Sequence, residues 1–142
     1  MDIPVASTSR IEKKPELVEA LKKVLPASSI IEDKAETLAY ECDALTAYRC
    51  PPMLVVLPET TAQVSEVLKL CHEMNIPVIP RGSGTSLAGG AMPSADSVVL
   101  GVASEVVASE VVELAAVGNN HIRLTFCDIK QFQMEKDFVS LF

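Results

Sequence analysis

Residues 53–90 read MLVVLPETTAQVSEVLKLCHEMNIPVIPRGSGTSLAGG, and this stretch decides the fold. Met53-Leu54-Val55-Val56-Leu57 is a short apolar run stopped by Pro58, which predicts a strand buried on both faces. Thr60 followed by Gln63 has the spacing of a capping box, with Thr60 as the N-cap. Val64, Val67, Leu68 and Cys71 then recur at helical spacing, and Asn75 suits the stop. Pro77-Val78-Ile79-Pro80 is a second β-prone run, and a glycine-rich segment follows it. Strand, helix, strand and loop in this order predict a right-handed βαβ unit with parallel strands. A further strand is expected at Ser97 to Leu100.

Working outward, Pro15 suits a first helical position, and Leu17, Val18, Leu21, Val24 and Leu25 form one apolar stripe. Pro26 is expected to end that helix, with Lys22 and Lys23 in its last turn complementing the dipole. A short helical stretch is expected near Glu32 to Ala39, and an irregular segment from Tyr40 to Pro52. On the other side, Ala103-Ser104-Glu105-Val106-Val107 repeats at once as Ala108-Ser109-Glu110-Val111-Val112. A five-residue repeat fits neither the helical nor the strand period and is too short for a solenoid. A strand at His121 to Phe126 and a helix at Ile129 to Leu141 are weak patterns that suggest no consistent packing.

The chain has 142 residues, 49% hydrophobic and 22% charged, with a net charge of -7. That length and apolar content suit one domain with a real core and exclude wholesale disorder. An acidic chain with 4% aromatics and no Trp lacks both the basic face and the stacking platform of a nucleic-acid binder. No apolar run reaches membrane-spanning length, and Met1-Asp2-Ile3-Pro4 lacks the order of a secretory signal, so a cytoplasmic location is expected. Cys42, Cys50, Cys71 and Cys127 show no C-x-x-C spacing, which points to reduced structural thiols and to no metal site. His72 reads as a helix-end histidine, His121 has no partner at motif spacing, and Glu41 and Asp43 read as surface acids.

Pro80-Arg81-Gly82-Ser83-Gly84-Thr85-Ser86-Leu87-Ala88-Gly89-Gly90 carries the sharpest chemistry. Glycines on either side of Ser83 permit positive φ and close approach of a ligand, and successive N–H groups in such a turn converge on an anion. Ser83, Thr85 and Ser86 add hydroxyls, so phosphate or pyrophosphate is the favoured ligand. A Walker loop is excluded, since no lysine lies between Lys69 and Lys130. The dinucleotide fingerprint is excluded because Leu87 stands where its third glycine belongs. No Lys or Arg occurs from Gly82 to Ile122, so backbone N–H and hydroxyl groups must hold any phosphate there. Composition alone equally admits a flexible surface loop.

The run from Tyr40 to about Gly101 resembles the start of the FAD-binding domain of the vanillyl-alcohol-oxidase (PCMH) type. Within that family it is most similar to the glycolate oxidase flavin subunit and D-lactate dehydrogenases. The resemblance rests on Asp43 to Arg49, on Val55 to Val64, and above all on Ile76 to Ala91. It implies an α+β fold, the N-terminal half of such a domain, with a helical segment over 1–39, the flavin-binding part over 40–101 and an unassigned, aberrant tail over 102–142. It implies that Gly82, Ser83, Gly84, Thr85 and Ser86 contact the FAD pyrophosphate while Pro80, Arg81, Gly89 and Gly90 shape or flank the site. Arg81 has two equal readings, a phosphate contact or a pair with a carboxylate of the fold.

Thr85-Ser86 stand where some relatives carry a flavin-linking histidine, so FAD is expected to be noncovalent. The implied chemistry is oxidation of a small 2-hydroxy acid, such as glycolate or D-lactate, with room for association with other oxidase subunits. No catalytic residue is carried over, because the matching segments of the family lie beyond Gly101, and a truncated or frame-shifted chain is expected. A non-catalytic fragment or interaction module, and a binder of some other phosphate ligand, are the alternatives.

Overall fold

A computed structural model describes residues 6–85, 87 and 89–102. The repeat at 103–112, the weak elements after it, His121, Cys127 and Ser86 lie outside the described residues. The element order is α1 (Thr8–Ile11), α2 (Lys14–Leu21), β1 (Ile30–Ile31), α3 (Lys34–Thr37), β2 (Leu54–Val56), α4 (Thr61–Glu73), β3 (Val78–Arg81) and β4 (Val98–Gly101). Short 3-10 turns at Ala27–Ser29 and Leu38–Tyr40 connect them.

The capping box at the start of α4 is complete: the Gln63 N–H donates to Thr60 Oγ1, and the Thr60 N–H donates to Gln63 Oε1. Two N–H groups that a helix start leaves without partners are thereby satisfied. At the other end Asn75 takes φ +57°, the left-handed conformation that stops a helix. Asp33 caps α3 through Oδ1, which accepts from the N–H groups of Ala35 and Glu36. Helix α2 ends earlier than its apolar stripe. The N–H groups of Val24 and Leu25 both donate to Leu21 O, so Lys22 is the C-cap and Lys23 lies past it. Pro26 disfavours helical geometry in the residue before it, and a looser last turn still lets Leu25 reach the core.

The sheet order is β1-β2-β4-β3. Strands β2 and β3 are both parallel to β4, in register at Leu54–Val98–Val78 and Val55–Val99–Ile79. The expected βαβ unit is therefore split, because β4 inserts between its two strands. Pro80 explains the order: a proline lacks the N–H that a central strand must donate on one side or the other. Among the described residues β3 takes the edge, while the all-apolar Val98-Val99-Leu100 fills the centre. Strand β1, not foreseen from the sequence, pairs antiparallel with β2 through Ile30–Val56 and Ile31–Val55.

Alternation along the strands divides the apolar residues between two faces. Leu54, Val56, Val78, Val98 and Leu100 pack with Leu17, Leu21, Val64, Val67 and Cys71 of α2 and α4. Val55, Ile79 and Val99 point the other way and pack with Ile31, Tyr40 and Leu57. This second face matters for the site, because it brings the segment around Tyr40 beneath the end of β3.

Candidate functional site

The site begins where β3 ends. The Val102 N–H donates to Arg81 O at 2.9 Å, and Arg81 pairs with Gly101, so the Arg81 backbone is fixed to the sheet. Pro80, one residue earlier, is buried and pairs with Leu100. From Gly82 the chain leaves the sheet: Gly82, Ser83 and Thr85 are exposed, and Gly84 is half-buried.

Gly84 takes φ +72°, which a residue with a Cβ adopts only at a cost. A Cβ there would also collide with Nη2 of Arg81 and lie 2.6 Å from its Cζ. The Arg81 side chain thus turns back under its own loop. Its Nη1 donates to Cys42 O at 2.6 Å, and its Cζ lies 5.6 Å from the centroid of the Tyr40 ring. That distance is within cation–π range. No carboxylate among the described residues lies within ion-pair distance of Arg81.

The N–H groups of Gly82, Ser83 and Gly84 donate to no partner among the described residues. Ser83 Oγ and Thr85 Oγ1 share a hydrogen bond at 3.2 Å on the exposed side. Further on, Gly89 takes φ +74° and accepts from the Met92 N–H at 3.4 Å, while Gly90 is buried in the same turn. The loop thus offers unpartnered N–H groups and exposed hydroxyls beside a guanidinium that has no counter-ion among the described residues, an arrangement suited to an anion.

Tyr40 and the Cys42 carbonyl also belong to this neighbourhood, and sequence reasoning missed both. A carbonyl has no residue signature, and Tyr40 stands in a segment without periodicity. Asp43 is a correction: it is 4% exposed rather than a surface acid. Its Oδ1 accepts from the Leu45 N–H at 2.8 Å, and Oδ2 is buried with no partner among the described residues. Glu41 pairs with Arg49 at 2.9 Å. Cys42, Cys50 and Cys71 are free thiols, and burial pushes Cys71 up to about 12. His72 lies in the last turn of α4, away from the glycine loop in sequence. Among the described residues no cluster of His, Cys, Asp and Glu could hold a metal, and no helix is long and apolar enough to cross a membrane.

Residues 52–118 match the family described as FAD binding domain. The match runs past Gly101, where the resemblance read from the sequence stops. The glycolate oxidase subunit GlcD of Escherichia coli (strain K12) is 46% identical over 81 residues, 57% of this chain and 16% of that protein. The mitochondrial D-2-hydroxyglutarate dehydrogenase of Arabidopsis thaliana is 30% identical over 128 residues, 84% of this chain and 22% of that protein. The chain thus spans a minor part of either relative's length.

A crystal structure of p-cresol methylhydroxylase with substrate bound aligns with a TM-score of 0.55 at 18% identity, over 72% of this chain and 20% of that chain. The fold is therefore α+β of the PCMH type, as the sequence resemblance implied. The residues present fit the diphosphate of FAD on three counts. Among the described residues the N–H groups of Gly82, Ser83 and Gly84 find no protein partner, Gly84 takes a backbone conformation that suits glycine, and no carboxylate pairs with the Arg81 cation beside it.

Proposed function

We propose that the segment from Pro80 to Gly90 holds the FAD pyrophosphate, in the flavin domain of an oxidoreductase that acts on a small 2-hydroxy acid such as glycolate or D-lactate. Gly82, Ser83, Gly84, Thr85 and Ser86 would supply the contacts, and Pro80, Arg81, Gly89 and Gly90 would shape the turn. The observation that carries this reading is Gly84 at φ +72° over the Arg81 guanidinium. That geometry sets N–H groups without a partner among the described residues beside a positive charge, which supports an anion as the ligand.

The flavin itself, when bound, supplies the redox chemistry by accepting hydride from the substrate α-carbon. This chain's part is to fix the cofactor by its diphosphate, and no residue described here is assigned a role at the reacting carbon. FAD would be held without a covalent bond, since Thr85 and Ser86 offer no linking imidazole. Similarity to a protein named as a glycolate oxidase subunit supports association with other oxidase subunits. A cytoplasmic setting belongs to the same proposal.

The test is a titration of the purified chain with FAD, followed by visible absorbance and flavin fluorescence. Saturable binding near one FAD per chain is the expected result. Protein that stays colourless and leaves the FAD signal unchanged overturns flavin binding and favours a non-catalytic module.

A further inference from the structure

The glycine loop does not stand on its own. At Gly84 it lies against the Arg81 side chain, and that side chain is held by a segment 39 positions earlier in sequence. Arg81 leaves the sheet edge, curls under Gly84, and ends between the Cys42 carbonyl and the Tyr40 ring. Tyr40 is itself anchored, packing against Val55, Ile79 and Val99 on the second face of the sheet. The guanidinium therefore lies over a half-buried ring that is packed against the core. From above, the backbone at Gly84 closes onto it so tightly that no Cβ fits.

We propose that Tyr40 is a positioning residue for the anion loop, acting through Arg81. The proposal rests on the reading of residues 80–90 as a pyrophosphate site, and it adds to that site a residue that never touches the ligand. The ring fixes the plane of the guanidinium, and the short bond to Cys42 O fixes its in-plane rotation. With both set, the guanidinium edge is a floor on which Gly82 to Gly84 adopt one path, with their N–H groups outward. Without the ring, the guanidinium is free to rotate away, and the loop amides sample orientations that do not converge. Lysine cannot replace arginine here, because a compact ammonium has no planar fork that could lie over the Tyr40 ring, donate to Cys42 O and still reach beneath Gly84.

The test uses the full chain with FAD as the probe, comparing wild type, Tyr40→Phe, Tyr40→Leu and Arg81→Lys. Four readouts are taken: FAD affinity, the visible spectrum of the complex, hydrogen exchange at 82–84, and the thermal midpoint. Tyr40→Phe keeps the ring and is expected to bind FAD within about twofold of wild type. Tyr40→Leu keeps the apolar packing but loses the ring. It and Arg81→Lys are each expected to lose about tenfold in affinity and to exchange faster at 82–84.

A merely structural role would lower the thermal midpoint without changing affinity or exchange well below it, and that result overturns the proposal. So does Arg81→Lys binding FAD as wild type, which would make Arg81 a simple charge for the phosphate. If Tyr40→Leu fails to fold, Arg81→Lys decides alone. If wild type does not bind FAD, the pyrophosphate reading fails, but exchange at 82–84 still judges the positioning role. Equal exchange in wild type, Tyr40→Leu and Arg81→Lys would then overturn it.

Discussion

Arg10 Nη1 lies 2.9 Å from Asp96 Oδ2, joining residues 86 positions apart in sequence. The same oxygen accepts from the Ser7 N–H at 2.9 Å, while Oδ1 accepts from the Ser94 hydroxyl at 2.7 Å. The Asp96 side chain is 3% exposed, so this network ties the entry of the chain to the turn that feeds the central strand β4. Burial alone would raise the Asp96 carboxyl, but the hydrogen bonds from Ser7, Ser94 and Arg10 outweigh it and hold it below the ordinary aspartate value.

A carboxyl lowered on folding stabilises the protein fully above its unfolded value, and the stabilisation is lost as pH falls through the folded value. Asp96→Asn is therefore expected to cost about 1.5–3 kcal/mol at neutral pH. The gap between wild type and variant should close below about pH 4. Urea midpoints of both proteins across that range check this. A gap that stays constant with pH would show that the charge of Asp96 contributes nothing.

Gly84→Val meets two obstacles, the positive φ and the Arg81 guanidinium. The first costs about 1–2 kcal/mol on its own. The second is the end of a flexible side chain, but one held by Cys42 O and Tyr40, so the substitution displaces Arg81 from both. The fold should survive by circular dichroism, while FAD affinity falls at least about tenfold. Unchanged affinity would remove the loop from the site.

Thr60→Ala serves as a contrast, since it removes one half of the α4 capping box far along the chain from the loop. A loss of about 1 kcal/mol in stability is expected, with FAD affinity unchanged. Denaturation and titration of the same sample separate the two quantities.

Much of this was legible in advance because its causes are local. Val55 and Val56 mark a buried strand, Thr60 and Gln63 mark the start of α4, and the glycines after Arg81 mark the turns with positive φ at Gly84 and Gly89. What escaped depends on partners distant in sequence. Ile30-Ile31 is a strand only because Val55 and Val56 offer it a ladder, and two residues carry no period. The insertion of β4 between β2 and β3 has one local trace, the missing N–H of Pro80, which suits an edge strand. The burial of Asp43 and Asp96, and the clamp of Tyr40 on Arg81, arise where irregular segments fold against the sheet.

Thiol chemistry offers a further check on the core. Burial raises both Cys71, up to about 12, and Cys50, which keeps partial exposure. Alkylation of the native chain at pH 8 should modify Cys42 and Cys50 and leave Cys71 intact until the protein is unfolded. Peptide mapping by mass spectrometry reads the result, and modification of native Cys71 would mean that α4 does not pack on the sheet as described.

The central claim is that residues 80–90 bind the cofactor by its diphosphate. Comparing FAD, ADP and riboflavin by calorimetry on the full chain tests it most directly. FAD and ADP share the diphosphate and riboflavin lacks it, so the first two are predicted to bind and the third to give no heat above dilution. Riboflavin binding as tightly as FAD, or ADP failing to bind where FAD does, would contradict the account.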